Sequence, residues 1–202
     1  MRLLPAILAM ALLVTLSNIL VQVLLGDFLT WGAFTYPFAF LVTDLTNRFQ
    51  GPAAARRVVL AGFVTGLACS FVAAGFDKTT LRIAAGSGTA FLVAQLTDVY
   101  VFDRLRRGNW WRAPLVSTLA GSALDTLLFF SIAFWSALTF FGPAETEAAA
   151  WASVAVPLLG QGPLLPLWVS LALADWGVKL ALAAVALIPF RLILSRSRTG
   201  LA

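Results

Sequence analysis

The sequence predicts an all-α integral membrane protein: a six-transmembrane-helix bundle with both termini in the cytoplasm. Three observations carry that expectation. Of 202 residues, 60% are hydrophobic and 11% charged, whereas a soluble domain would carry about a quarter charged. The apolar residues fall into runs of about 20, the length that crosses roughly 30 Å of hydrocarbon as a helix. The basic residues, finally, gather between alternate runs. The mean hydropathy is +0.92, and the short alternating segments of a transmembrane barrel are missing.

The spans fall at about 3–25, 28–46, 58–76, 82–102, 113–139 and 166–190, and they leave no room for a soluble domain, so the chain reads as one transmembrane domain. Span one is too long for a signal-peptide core, contains Asn18 and Gln22, and lacks a convincing cleavage site, so it reads as a retained helix. Span two is interrupted by Pro37, which removes a backbone donor and should kink or break the helix. Trp31, Phe34, Tyr36 and Phe38 surround that break, and Trp31 also suits an interfacial aromatic belt. Span three follows the Gly-Pro turn signal of RFQGPAAARR, and its Gly62 and Gly66 read as packing positions. Span five is expected to start at Pro114, since proline suits the first turn of a helix. The external connection of about 140–165 holds AETEAAAWASVA, a short surface helix with its acids early.

Eleven of the 14 basic residues fall on one side if the spans alternate. These are Arg2, then Arg48, Arg56 and Arg57, then Arg104, Arg106, Arg107 and Arg112, then Arg191, Arg196 and Arg198. The other side holds Lys78 and Arg82 with Asp27, Asp77, Glu145 and Glu147. This positive-inside pattern places both termini in the cytoplasm. It also accounts for a pI of about 10.4 without a nucleic-acid partner. Cys69 is the only cysteine, which excludes an internal disulfide. Histidine is absent, so a coupled proton would have to ride on a carboxylate, Asp125 or Asp175 first. No metal or cofactor is expected: GSGT at 86–89 lacks the lysine and spacing of a P-loop.

Against this apolar background stand Asp44 in span two, Asp98 in span four, Asp125 in span five, and Asp175 with Lys179 in span six. A charge at a helix centre costs roughly 2.5–3.5 kcal/mol on insertion scales. Together these five cost on the order of 10 kcal/mol, while a leucine returns only about 0.3–0.6. They must face the bundle interior, pair, or line water. Asp175 and Lys179 are four apart, acid first, as an intrahelical ion pair requires. Ser117, Gly121 and Asp125 share one face, which close helix packing explains for the glycine and not for the carboxylate. Asp44 and Asp98 lie toward inner ends, where a solvated position near the headgroups is the alternative. Asn18 and Gln22 are also four apart, and Gln95 is one turn before Asp98. FLVTDLTNRF (40–49) echoes FLVAQLTDVY (91–100), and both spans run outside to inside. Intramembrane polar residues of this kind mark a substrate or ion pathway. Carboxylates, amides and aromatics suit a flat, neutral, donor-rich heterocycle, since a carboxylate accepts from two adjacent N–H groups and a ring stacks on the face.

Four stretches carry a family resemblance: TWGAFTYPFAFLVTDLTNRFQGPAAARR (30–57), AQLTDVYVFDRLR (94–106), WWRAPLVSTLAGSALDTLLFFSIAFW (110–135) and LADWGVKL (173–180). Through them the chain resembles the bacterial queuosine precursor transporters, a branch of the vitamin-uptake-like membrane proteins. The resemblance implies six helices in the cytoplasmic membrane and uptake of a deazaguanine, 7-cyano-7-deazaguanine or its aminomethyl relative. It places Asp44, Gln95, Asp98, Asp125, Asp175 and Lys179 inside matching stretches. Asn18, Gln22, Trp31 and Tyr36 join the candidate lining on chemistry. The expected mode is secondary transport or facilitated diffusion, with a homo-oligomer left open. A substrate-binding subunit of an ATPase-driven system is the alternative, ranked lower because Ala6, Ala9 and Ala11 miss the four-residue spacing of a docking face. An intramembrane protease fits worse: Asp125 in GSALDTL lacks the glycine-flanked aspartate motif, and a serine enzyme would lack its histidine base.

Overall fold

The computed structural model describes residues 3–199, with side chains to Arg196. Arg2 lies outside the described residues, as does the side chain of Arg198. The helices are α1 (Leu4–Leu20), α2 (Gly32–Thr35), α3 (Phe38–Gln50), α4 (Pro52–Gly75), α5 (Leu81–Leu105), α6 (Arg112–Phe134), α7 (Pro143–Ala148) and α8 (Leu167–Thr199). Two small antiparallel hairpins stand in the connections, β1 (Leu24–Leu25) with β2 (Leu29–Thr30) and β3 (Ala155–Pro157) with β4 (Leu164–Pro166). Three helical stretches are long and apolar enough to cross a membrane: Pro52–Gly75, Arg112–Phe134 and Leu167–Arg196. With 25 residues, α5 is about 37 Å long, but its charged residues lower its hydropathy.

Local signals explain most of the boundaries. Gly51 takes φ +85°, a conformation glycine adopts without a Cβ penalty, and Pro52 opens α4 directly after it. The connection expected before span three therefore shrinks to one residue, and Arg56 and Arg57 ride on the first turns of α4. The break expected at Pro37 is present: α2 stops at Thr35 and α3 resumes at Phe38. Span one ends earlier than expected. Val21 caps α1 on Ser17, and the chain turns at Gly26, φ +67°. Gly32 then returns against that cap, where a Cβ would lie 2.9 Å from the Val21 nitrogen. Span five ends at Phe134 rather than 139, because Trp135 turns extended at ψ 113°. Span six runs on past 190, with Pro189 inside the helix.

α1 and α4 run parallel, Met10 beside Gly62 and Val14 beside Gly66. At Gly62 a Cβ would meet Met10 Cγ at 2.7 Å and Phe91 Cζ at 2.9 Å, so the packing role expected of Gly62 holds. α5 and α6 pack antiparallel, as do α6 and α8. Near one end, Phe49, Leu105, Trp110, Phe190 and Leu194 cluster. Arg48 donates to the Arg106 carbonyl there, and Arg191 stacks over Trp110. Leu3 and Ile7, at the start of α1, pack with Ala55 and Val58 toward the same end.

The opposite end is held by a latch. Glu145, on α7, accepts from the backbone N–H groups of Leu81 (3.2 Å) and Arg82 (2.9 Å), an anion on the positive end of α5. The fully buried Arg82 side chain reaches across to the carbonyl of Ile132 (2.7 Å), which α6 leaves unpaired at its C-terminus, and to that of Trp135 (2.5 Å), which also accepts from the Leu138 N–H. Desolvation is the largest single effect on Glu145 and works to raise it, yet the Arg82 backbone N–H, the Thr80 hydroxyl, the Leu81 backbone N–H and the Arg82 charge together hold its carboxyl below the usual glutamate range. The folded form thus favours the ionised carboxylate. Its stabilisation is complete at neutral pH and fades only as the pH falls below the ordinary glutamate value of about 4.3. Glu145→Ala is expected to free the connection 140–165, read as faster protease cleavage there at neutral pH. In acid the wild type should converge on the variant; equal cleavage at neutral pH would show that the latch does not hold the connection.

Candidate functional site

Two buried polar clusters form where α3, α5, α6 and α8 meet. The first begins at the break. The turn at Tyr36 and Pro37 presents the tyrosine hydroxyl to Asp125 Oδ1 at 3.2 Å. Lys179 Nζ donates to Asp125 Oδ2 (2.6 Å), to Asp175 Oδ2 (2.5 Å) and to Thr126 Oγ1 (3.1 Å). These use all three ammonium donors. Thr126 in turn donates to Asp175 Oδ2 at 2.9 Å, and Lys179 lies 5.7 Å from the Tyr36 ring centroid. Lys179 and Asp125 are nearly sealed from solvent, while 18% of the Asp175 side chain stays exposed. Two carboxylates against one ammonium leave one negative charge in excess. The intrahelical pair expected on span six is therefore half the arrangement: Lys179 also ties α8 to α6.

The second cluster lies further along α3 and α5. Asp44 and Asp98 are 2% and 0% exposed, so the solvated position considered for them does not occur. Asp44 accepts from the Ser117 hydroxyl (3.2 Å) and the Thr118 hydroxyl (3.4 Å) of α6. Thr43 donates to Gln95 Oε1 at 2.6 Å, and Asn47 Nδ2 donates to the Val99 carbonyl at 2.9 Å. Both contacts join residues 52 apart in sequence, so α3 and α5 run parallel with nearly the offset of the echo between FLVTDLTNRF and FLVAQLTDVY. The Ser117–Gly121–Asp125 stripe links the clusters: Ser117 touches Asp44, Gly121 packs on Phe40 and Ala94, and Asp125 holds Lys179.

Three candidate residues are placed elsewhere. Asn18 donates to the Val14 carbonyl of its own helix and lines a cavity of about 20 Å³ with Tyr36 and Phe91. Gln22 corrects the sequence expectation: α1 ends before it, so it shares no helical face with Asn18, and it is exposed. Trp31 is 47% exposed and packs on Phe34, away from both clusters. Sequence reasoning missed Thr43, Asn47, Thr118 and Thr126, whose hydroxyls and amide complete the clusters. The echo was the one signal that could have pointed to Thr43 and Asn47. It also missed Trp168 and Trp176, which with Phe130 and Thr126 line a cavity of about 210 Å³ between α6 and α8. Thr126 joins that cavity to the Lys179 cluster.

A helical body with membrane-crossing helices and buried charges at helix junctions defines a multi-pass membrane protein with a polar site inside it. A family profile described as "Putative vitamin uptake transporter" matches residues 30–194, which include every candidate residue except Asn18 and Gln22. The "Queuosine precursor transporter" of Escherichia coli (strain K12) is 41% identical over 164 residues, covering 72% of each chain. The "Probable queuosine precursor transporter" of Haemophilus influenzae is 43% identical over 122 residues, 52% of each chain. That of Bacillus subtilis is 34% identical over 134 residues, 55% of this chain and 58% of its own. No solved structure matches. The chain belongs to the queuosine precursor transporter family, among the vitamin-uptake transporters. Its role is transport rather than catalysis.

Proposed function

We propose that the chain carries a queuosine precursor, 7-cyano-7-deazaguanine or its aminomethyl relative, inward across the bacterial cytoplasmic membrane. The names of its relatives support the substrate class. The observation that carries the site is the contact between the Lys179 cluster and the aromatic cavity through Thr126. A deazaguanine presents adjacent N–H donors on one edge and a flat face. Asp175, partly exposed and sharing Lys179 with Asp125, accepts the edge; Trp168 or Trp176 stacks on the face. Asp44, Gln95, Asp98 and Tyr36 complete the pathway on either side of that contact.

In this reading the chain spans six times with both termini cytoplasmic. α2 and α3 form one broken span, and the end that gathers Arg48, Arg106 and Arg191 faces the cytoplasm. The substrate enters from outside, and the bundle rocks to release it. Facilitated diffusion with trapping downstream fits the same site. An ATPase-driven substrate-binding subunit draws no support from the relatives.

The test is rescue of a bacterial strain that neither makes queuosine precursors nor carries its own transporter. With this chain expressed and a deazaguanine precursor supplied, queuosine should return to tRNA. Asp125→Asn and Asp175→Asn, at matched membrane levels, should each lower it about 10–100-fold, the worth of a charged hydrogen bond. Rescue undiminished in both would confine those aspartates to structure. No rescue from a well-inserted chain would refute the substrate.

A further inference from the structure

The geometry points to Asp98 as the residue that carries a transported proton, with Asp44 as its hydrogen-bond partner and Ser117 and Thr118 as the groups that fix which of the two carboxylates takes it. This rests on the transport reading above and adds its driving ion. Asp98 is fully buried, and neither of its carboxylate oxygens has a hydrogen-bond donor among the described residues. A buried ionised carboxylate left this way is costly, because desolvation is returned only through donors or a cation. Asp44, a second buried carboxylate, packs against the same face of α6: it bonds Ser117, while Asp98 lies against Gly121 one turn on. No ion pair reaches either aspartate among the described residues. Two ionised carboxylates on this face add repulsion to desolvation, and one proton shared by the pair removes both.

The surrounding donors decide where the proton sits. Asp44 accepts from the hydroxyls of Ser117 and Thr118, the environment of an ionised acceptor. The Ser117 hydroxyl donates to Asp44 and not to Asp98. Asp98, with no such donor among the described residues, is suited to be the neutral carboxylic acid. Uptake forms an O–H bond on one Asp98 oxygen, and that hydrogen is donated to Asp44. Release breaks the bond and leaves the pair one charge more negative. The cationic groups of the neighbouring elements are engaged near the helix ends. Arg48 of α3 donates to the Arg106 carbonyl, Arg106 of α5 pairs with Asp103, Arg104 stacks on Tyr100, and Arg191 of α8 stacks on Trp110. On α6 the flanking charges are Arg112, five residues before Ser117, and Asp125, eight after it; on α4 they are Arg56 and Arg57. The Lys179 cluster differs in that its two aspartates share a cation, which the Asp44 and Asp98 pair lacks among the described residues. The sequence expectation placed the proton on Asp125 or Asp175; the proposal places it on Asp98. α6 connects the two events, because Ser117 and Asp125 are about 12 Å apart along one helix face.

The experiment has one arm that needs no substrate. Infrared spectra of the full-length protein in lipid, taken over a pH series, should show a protonated-carboxyl band that disappears as the pH rises. Asp98→Asn should abolish it, and Asp175→Asn should leave it in place. The second arm uses proteoliposomes and labelled 7-cyano-7-deazaguanine. A tenfold proton gradient should drive accumulation approaching about tenfold, and a sodium gradient alone should drive none. Asp98→Asn, a neutral side chain of the same size that donates to Asp44, should no longer accumulate substrate on the proton gradient. Should Asp98→Asn insert poorly, Asp44→Asn serves instead and should move the pH at which the band disappears. A band indifferent to both substitutions overturns the inference, as does accumulation on sodium alone or undiminished in Asp98→Asn. Absent exchange in the wild type would instead refute the substrate, and the infrared arm would still decide the proton site.

Discussion

Lys179→Met is expected to be the most damaging single substitution in the chain. It leaves the buried Asp125 and the partly exposed Asp175 without the ammonium that both contact. Removing one member of a buried ionic group costs about 3–5 kcal/mol, a large share of the roughly 5–15 kcal/mol that holds a typical native state. Thermal unfolding of the purified protein should show the loss, and transport should fall to background. The triple variant Lys179→Met, Asp125→Asn, Asp175→Asn removes every charge while filling the same space. Replacing a whole buried ionic group is close to neutral or stabilising, so most of the stability should return while transport stays lost. A Lys179→Met protein as stable as the wild type would mean that water reaches the cluster and that α6 and α8 are not joined through it.

The second large effect is expected at Gly121, where α3, α5 and α6 come closest. A Cβ there would lie 2.7 Å from Phe40 Cε1, 3.1 Å from the Ala94 carbonyl oxygen and 3.3 Å from Asp98 Cβ. The Phe40 ring is itself fully packed, and a backbone oxygen cannot step aside without moving α5. Overpacking of this kind costs about 1–3 kcal/mol for Gly121→Ala, and Gly121→Val should exceed it. The same shift would spread the Asp44, Asp98 and Ser117 contacts, so uptake should fall further than the melting temperature suggests. Gly66→Ala is the control, since its Cβ would meet Val14 at an ordinary 3.5 Å. An unfolding midpoint for Gly121→Ala equal to that control would refute the close approach.

Much of this was legible in the residues alone. Composition excluded a soluble domain because hydrocarbon and water select different side chains. Pro37 announced its break because its missing donor is a local property. Gly51 and Pro52 announced a turn before span three, but that span was expected to start only at about 58, and the helix begins at Pro52 itself. The echo between spans two and four coincides with the parallel pairing of α3 and α5, nearly in register, but nothing in the echo required the two helices to touch. Gln22 went the other way: helical spacing put it beside Asn18, and the chain turned out of the helix just before it.

What the sequence by itself determined is that the chain is apolar and helical, that it carries five charges within its spans, and that Asp175 and Lys179 share a helix face. Those are consequences of composition and of the 3.6-residue period, which act within one segment. Only the tertiary structure decided which charges meet. Lys179 joins Asp125 across two helices, Asp44 and Asp98 meet the same Ser117–Gly121 face of α6 with no ion pair to either among the described residues, and Arg82 closes the end of α6. Such pairings depend on how helices rotate and cross against one another. That is set by small residues such as Gly62 and Gly121, where the close approach of neighbours cannot be read from spacing along a single helix.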